Sequence, residues 1–331
     1  MLKSQRPGLA INCPPDLQAT PKTVFITGAT GFIGQRLVSA LLEQGVRVRA
    51  MIRPDKKTDS RLPQACEPVP VGLTDVDQLA GIVAGCNAVI YCAGSVRGRS
   101  AADFRVANTM GVKAMLEALA LSESAPPLLL LSSLAASKPE LSDYAHSKYA
   151  GEQLLLGNSA LAWTILRPPA VYGPGDREML PVLKMIRRGL LAHVGPADQR
   201  LSLLHVDDLV KAVISWLTAP QKCLHQTYAI DDGTPGGYNW MDIGEAVNDG
   251  KFNMLQVPRT ILEGAARLNL LFSGLLGYAP MLSPGKVREL SEPEWLCDNR
   301  AFSEATGWQP ELDLKRGAQQ IFKPESKNTA T

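Results

Sequence analysis

Apolar residues along the first half of the chain switch repeatedly between two rhythms. Thr23–Thr27 (TVFIT) is a short β-branched run; Phe32, Ile33, Leu37, Val38, Leu41 and Leu42 then recur at helical spacing until Gly45. The same alternation predicts strands at Val46–Ile52, Val69–Val71, Ala88–Tyr91, Leu128–Ser132 and Trp163–Leu166, with helices at Asp75–Val83, Asp103–Leu121 and Tyr144–Leu156 between them. Strand and helix in strict succession imply parallel strands joined by crossover helices. The expected fold is α/β, a doubly wound parallel sheet that takes its ligand at the carboxyl ends of its strands.

After Pro168 the rhythm breaks. Ser202–Val206 and Thr227–Ile230 predict two further strands, while Pro, Gly and apolar helical pieces dominate elsewhere. The predicted division is a flexible extension over 1–20, a dinucleotide-binding domain of 21–168 plus 201–233, and a smaller, mostly helical substrate domain of 169–200 plus 234–330. The extension holds Lys3 and Arg6 but no apolar run of signal-peptide length. Leu268–Gly285 carries no charge, yet Asn269, Gly274, Gly277, Pro280 and Pro284 interrupt it, which argues against a spanning helix. Ile261–Leu282 is open to three roles: a lid over a greasy pocket, the small domain's own core and interface, or a peripheral contact with a membrane.

Charge and cysteine usage narrow the partners. A net charge of +2 argues against nucleic acid, whose phosphates favour a clear basic surplus. The 6 cysteines form no CxxC pair and His is sparse, so no metal site is expected and a reduced, cytoplasmic compartment fits best.

Two segments carry chemistry. The first strand runs into Thr27-Gly28-Ala29-Thr30-Gly31-Phe32-Ile33-Gly34, whose glycines allow a tight turn, close approach of a pyrophosphate and close helix packing. The helix that follows offers free N–H groups and a partial positive charge to the phosphates. At the end of the second strand, where an acidic residue would read a ribose 2′-hydroxyl, stands Arg53, with Lys56 and Lys57 nearby. This favours NADP, with NAD as the alternative. The second segment begins where the fifth strand ends, in Ser132-Ser133. Farther on, Tyr144 and Lys148 lie four apart on one helix face. An ammonium there is expected to lower the tyrosine pKa, so that the phenol exchanges a proton with a carbonyl or alcohol while hydride moves to or from a nicotinamide. Ser133 is placed to hold the substrate oxygen. His146, on a different face, is expected to be solvent-facing.

TGATGFIG (27–34), Asn108 in VANTMG, SSLAA (132–136), YAHSK (144–148), RPPAVYGPGD (167–176), HVDD (205–208), YAIDDG (228–233) and ATGWQP (305–310) together resemble the extended short-chain dehydrogenase/reductases. They span nearly the whole chain in the family's order. The branch they look most like is the dihydroflavonol reductase and 3β-hydroxysteroid dehydrogenase-like group. The resemblance implies a Rossmann sheet and a catalytic set of Ser133, Tyr144 and Lys148, with Asn108 supporting a proton-relay water. It also implies that Gly28, Thr30, Gly31, Phe32, Ile33, Gly34, Arg53, Ala93, Gly94, Tyr144, Lys148, Pro168 and Val171 meet the cofactor. A homodimer through two long helices is a further family-level expectation. One departure stands out: many relatives carry an adenine-reading Asp where this chain has Gly72.

In HVDD, Asp207 or Asp208 is expected to cap a helix over Leu209–Leu217. Tyr172 and Arg177 either touch substrate or order their loop. The expected activity is interconversion of a secondary alcohol and a ketone on a hydrophobic or polycyclic small molecule. The alternative is a nucleotide-sugar epimerase or dehydratase with tightly bound NAD, which Arg187, Arg188, Arg200, Arg259 and Arg288 keep open by offering charge to a diphosphate.

Overall fold

The computed structural model describes residues 23–196 and 198–322, so the expected extension over 1–20 lies outside the described residues. The central sheet holds β1 (Thr23–Thr27), β2 (Arg47–Ile52), β3 (Glu67–Pro70), β4 (Ala88–Tyr91), β5 (Leu128–Leu131), β6 (Trp163–Arg167) and the edge strand Gln226–Ala229. Its order is Gln226–Ala229, β6, β5, β4, β1, β2, β3, every pair parallel. The uninterrupted apolar runs of β1, β4 and β5 follow from burial on both faces. Leu37, Val38 and Leu41 of α1 (Phe32–Glu43) cover one face with the Val206–Thr218 helix; Leu79 and Val83 of α2 (Val76–Val83) cover the other, with Met115 and Leu155. The chain winds outward from β1 to β3, then returns to lay β4 on β1's other side. That reversal opens a crevice at the carboxyl ends of β1 and β4.

A third core gathers Tyr172, Leu183, Ile186, Leu191, Tyr238 and Ile243 from beyond Pro168. Of the two later strands expected, Gln226–Ala229 joins the sheet and Leu203–His205 does not. The free edge of β6 is taken by Gln226–Ala229, so Leu203–His205 pairs with Ala170–Tyr172 instead.

The helix expected over Asp103–Leu121 is divided. It runs from Ala101–Arg105 through a π-helical segment, Val106–Met110, into Gly111–Ala120. The widened turn follows from tertiary partners: the Tyr91 hydroxyl donates to the Ala107 carbonyl (2.7 Å) and the Asn108 side chain is held from two sides. A second departure concerns HVDD. The helix begins earlier, at Val206, and its N-cap is His205, whose Nδ1 accepts from the Asp207 amide at 3.2 Å. Asp208 turns instead to the C-terminal segment and accepts from the Glu311 and Leu312 amides (3.0 and 2.8 Å). The Trp308 indole donates to the Asp208 carbonyl at 3.1 Å, so one residue ties the Trp308–Leu312 segment to the Val206–Thr218 helix.

Asp208→Ala leaves two sheltered N–H groups without their acceptor, and each such loss costs about 1–3 kcal/mol. Urea unfolding of the variant should show stability lower by about 2–4 kcal/mol. A shift within error of zero would mean that the amides find other partners.

Candidate active site

Gly28 sits at φ +67°, and a Cβ there would lie 2.7 Å from the Ala93 amide and the Cys92 carbonyl. A Cβ on Gly34 would lie 2.2 Å from the Gly28 carbonyl. The turn therefore has glycine where β1 meets the end of β4, and where α1 leans on the turn itself. Gly31 caps α1 without a side-chain hydrogen bond, which leaves the helix's first N–H groups free for an anion. Ala93 is tied to β1 through its amide, which donates to Thr27 Oγ1 (3.1 Å). The Thr30 carbonyl accepts from Gln35 and from Arg61 (2.9 and 3.3 Å). Phe32 opens α1 beside Gly175, and Ile33 packs on the core. Glycine-lined close approach and an uncapped helix terminus fit the pyrophosphate of a dinucleotide.

Beyond the same strand ends lies the Asp143–Leu156 helix, started by Ser142, whose Oγ accepts from the Ala145 amide (3.0 Å). It carries Tyr144 and Lys148. The phenol is half-buried, and its ring meets Phe104 edge-on at 6.1 Å. Ser133 follows β5 and caps a short 3₁₀ turn by accepting from the Ala135 amide. Ser132 beside it is buried. Lys148 is buried too and donates to the Leu131 carbonyl (3.1 Å). A Cβ on Gly94 would lie 3.1 Å from Lys148 Nζ and 3.2 Å from Asn108 Oδ1, so these groups converge at the end of β4.

Asn108 occupies the π segment. Its Nδ2 donates to the Ser95 carbonyl and to Ser147 Oγ, while its Oδ1 accepts from the Ser95 amide (3.0, 2.9 and 3.1 Å). A Cβ on Gly151 would fall 2.2 Å from the Asn108 carbonyl, so the two helices touch backbone to backbone. Pro168 accepts from the Leu134 amide at 2.8 Å, and half-buried Val171 pairs with Leu204. Tyr172 is buried, donates to the Asp313 carbonyl and meets His205 edge-on, so it orders its loop. Arg177 and His146 are exposed.

The electrostatics depart from expectation. Burial pushes the Tyr144 phenol up to about 12; the nearby Ser133 hydroxyl pulls it down and the Glu289 charge adds to the rise. Burial likewise drives the Lys148 ammonium down to about 8, with Cys92 and Glu152 opposing. Desolvation thus outweighs the expected effect of the lysine, which spends its hydrogen bond on Leu131.

Four neighbours escaped sequence reasoning. Ser147 bridges Asn108 and the Tyr144 carbonyl, and its place three residues after Tyr144 could have shown it. Phe104, Arg61 and Glu289 carried no such signal; Glu289 arrives from the far end of the chain to bond Ser142. Arg53, at the end of β2, is exposed and forms no ion pair among the described residues. Lys56 and Arg61 both engage Asp59.

Residues 24–230 match the NAD dependent epimerase/dehydratase family. The chain is 32% identical over 284 residues to a ceramide reductase of Caulobacter vibrioides, covering 85% of this chain and 88% of that protein. It is 26% identical over 230 residues to a 4-hydroxy-2-methyl-3-oxo-4-farnesyl-3,4-dihydroquinoline-1-oxide ketoreductase of Stigmatella aurantiaca, covering 64% of this chain and 68% of that one. A UDP-glucuronic acid 4-epimerase from Bacillus cereus, solved with NAD, superposes with a TM-score of 0.67 at 18% identity over 90% of this chain and 97% of its own. The crevice between β1 and β4, the glycine turn beneath it and the match across both halves of the sheet all lead to one assignment: the chain belongs to the NAD dependent epimerase/dehydratase family, as a nicotinamide-dependent enzyme of the extended short-chain dehydrogenase/reductase type.

Proposed function

We propose that the enzyme interconverts a ketone and a secondary alcohol on a long-chain or polycyclic hydrophobic molecule, using NADP(H), with Tyr144 as the proton-transfer residue. One observation carries the proposal: Lys148, one turn from Tyr144 on the same helix, converges with Asn108 on Gly94 at the strand end that Gly28 of the glycine turn abuts, with Ser133 close enough to act on the Tyr144 phenol. A nicotinamide dinucleotide bound there supplies or accepts the hydride. Ser133 holds the substrate oxygen, and Tyr144 gives that oxygen its proton as the carbonyl is reduced. A phenol kept protonated by burial suits the reductive direction. Lys148 binds cofactor hydroxyls, and Asn108 supports proton resupply.

A hydrophobic substrate is supported by the relatives' names, one a reductase of a lipid and the other of a farnesyl-bearing ring. The sugar-nucleotide alternative loses its arginines. Arg187 donates to Val247 and lies over Phe322, Arg200 pairs with Asp242, Arg259 with Glu263, and Arg288 donates to Leu141. Only Arg188 of the five lacks such a partner among the described residues. Preference for NADP is supported by the unpaired Arg53 and by the lack of a carboxylate at the end of β2. A homodimer is supported by Val106, Met110 and Leu156, apolar and exposed on the two long helices.

Tyr144→Phe should lower turnover at least about 100-fold, the scale for losing a positioned acid–base group, while calorimetry shows cofactor binding intact. Full activity in the variant would overturn the assignment. Arg53→Ala should weaken NADPH binding about 10–100-fold, the worth of a charge-assisted hydrogen bond, and leave NADH nearly unchanged; equal loss for both would exclude 2′-phosphate recognition. Lys148 yields a pH test. The ordinary lysine value of 10.5 holds when unfolded, against about 8 when folded. Burying its charge therefore costs most stability below pH 8, and the cost fades as pH rises to 10.5. Lys148→Met removes that cost. Urea midpoints should favour the variant at pH 7 by a margin that shrinks toward pH 10; a margin that widens would contradict the buried ammonium.

A further inference from the structure

The Arg259–Leu276 helix is built the wrong way round for a member of a water-soluble core. It spans 18 residues and buries only Ala266 and Ser273 completely. Ile261, Leu268, Leu271, Phe272, Leu275 and Leu276 recur at spacings of three, four and seven, which puts them on one stripe, and that stripe faces away from the protein. Leu275 and Leu276 are 82% and 73% exposed. Of the 18 large apolar side chains exposed among the described residues, 10 lie between Met254 and Met281. A concentration of this kind marks an interaction surface. No described helix is long and apolar enough to cross a membrane.

The charge around the stripe identifies the partner. Between Asn253 and Glu289 stand the basic residues Arg259, Arg267, Lys286 and Arg288 and the acids Glu263 and Glu289, of which Glu289 pairs with Lys286 at 2.9 Å and Glu263 with Arg259. Arg267 is exposed and projects one turn before Leu271. An apolar stripe flanked by Arg267 and Arg288, which form no ion pair among the described residues, suits the boundary between acyl chains and anionic headgroups. A second copy of the chain would bring the same basic residues against themselves.

The helix also has a mechanical link to the chemistry. Asn269 donates to the Leu282 carbonyl (2.9 Å), at the start of the short Pro284–Leu290 helix. That helix lies against the catalytic helix's cap: a Cβ on Gly285 would fall 2.8 Å from the Ser142 side chain, Glu289 bonds Ser142 Oγ, and Arg288 donates to the Leu141 carbonyl at 2.7 Å.

We propose that Arg259–Leu276 is a membrane-docking helix that lies in the plane of an anionic bilayer, its Ile261–Leu276 stripe among the acyl chains, and holds the Tyr144 cleft close to the lipid surface. Delivery of a lipid substrate from that surface rests on the function proposed above; the docking itself does not. The test uses the full chain and vesicles of phosphatidylcholine with and without phosphatidylglycerol. The protein should float with the anionic vesicles and far less with the neutral ones. Leu271→Glu combined with Leu275→Glu, both at exposed positions, should lower binding at least tenfold with an unchanged urea midpoint. The fluorescence that Phe272→Trp adds should be quenched by lipids brominated near the headgroup and not by those brominated at the chain ends. Wild-type protein that ignores anionic vesicles overturns the proposal. So does a double variant that binds as well as wild type, deep quenching, or a wild-type dimer that the double variant converts to monomer. Tyr144→Phe should bind vesicles normally, so loss of the oxidoreductase reading and loss of docking would be seen separately.

Discussion

The functional half of this molecule depends on backbone meeting backbone without a side chain between. Gly28 brings the end of β1 against the end of β4, Gly34 brings α1 against the turn, and Gly151 brings the Asp143–Leu156 helix against the carbonyl of Asn108. A single Cβ at any of these places would overlap main-chain atoms, which cannot swing aside as a long side chain can. The crevice, the free helix terminus and the convergence of Lys148 and Asn108 on Gly94 are consequences of those contacts.

Electrostatics inside the site follow from the same closeness. Packing at this density removes water from Tyr144 and Lys148 together, and desolvation moves each toward its neutral form. The familiar picture of an ammonium acidifying a phenol presupposes that the two share one solvent-poor space and point at each other. Here Lys148 bonds the end of β5, and Ser133 is the group that bears on the phenol. The protein on its own holds a reluctant acid and a reluctant base.

Those parts of the site whose geometry is local were legible in the sequence. A glycine triplet between a strand and a helix, and a Tyr and Lys four apart after a strand ending in Ser-Ser, encode their own arrangement through chain periodicity. The strands of the sheet were legible because burial on both faces leaves unbroken apolar runs such as Leu128–Leu131. What stayed hidden depends on residues distant along the chain. His205 takes the cap expected of an aspartate because Asp208 is claimed by amides at 311 and 312. Leu203–His205 has strand character, but another segment occupies the sheet edge. Glu289 reaches Ser142 through a packing of helices that no spacing announces.

The π segment at Val106–Met110 carries one residue more than an α-helical turn accommodates. Each residue advances an α-helix by about 100°. Loss of any one residue in this stretch would restore regular winding and swing Ala101–Arg105 by roughly that angle relative to Gly111–Ala120. Phe104 would leave the Tyr144 ring and Asn108 would leave Ser95 and Ser147, although no residue of the chemistry had been replaced. Length, as much as identity, therefore sets the geometry of the site here.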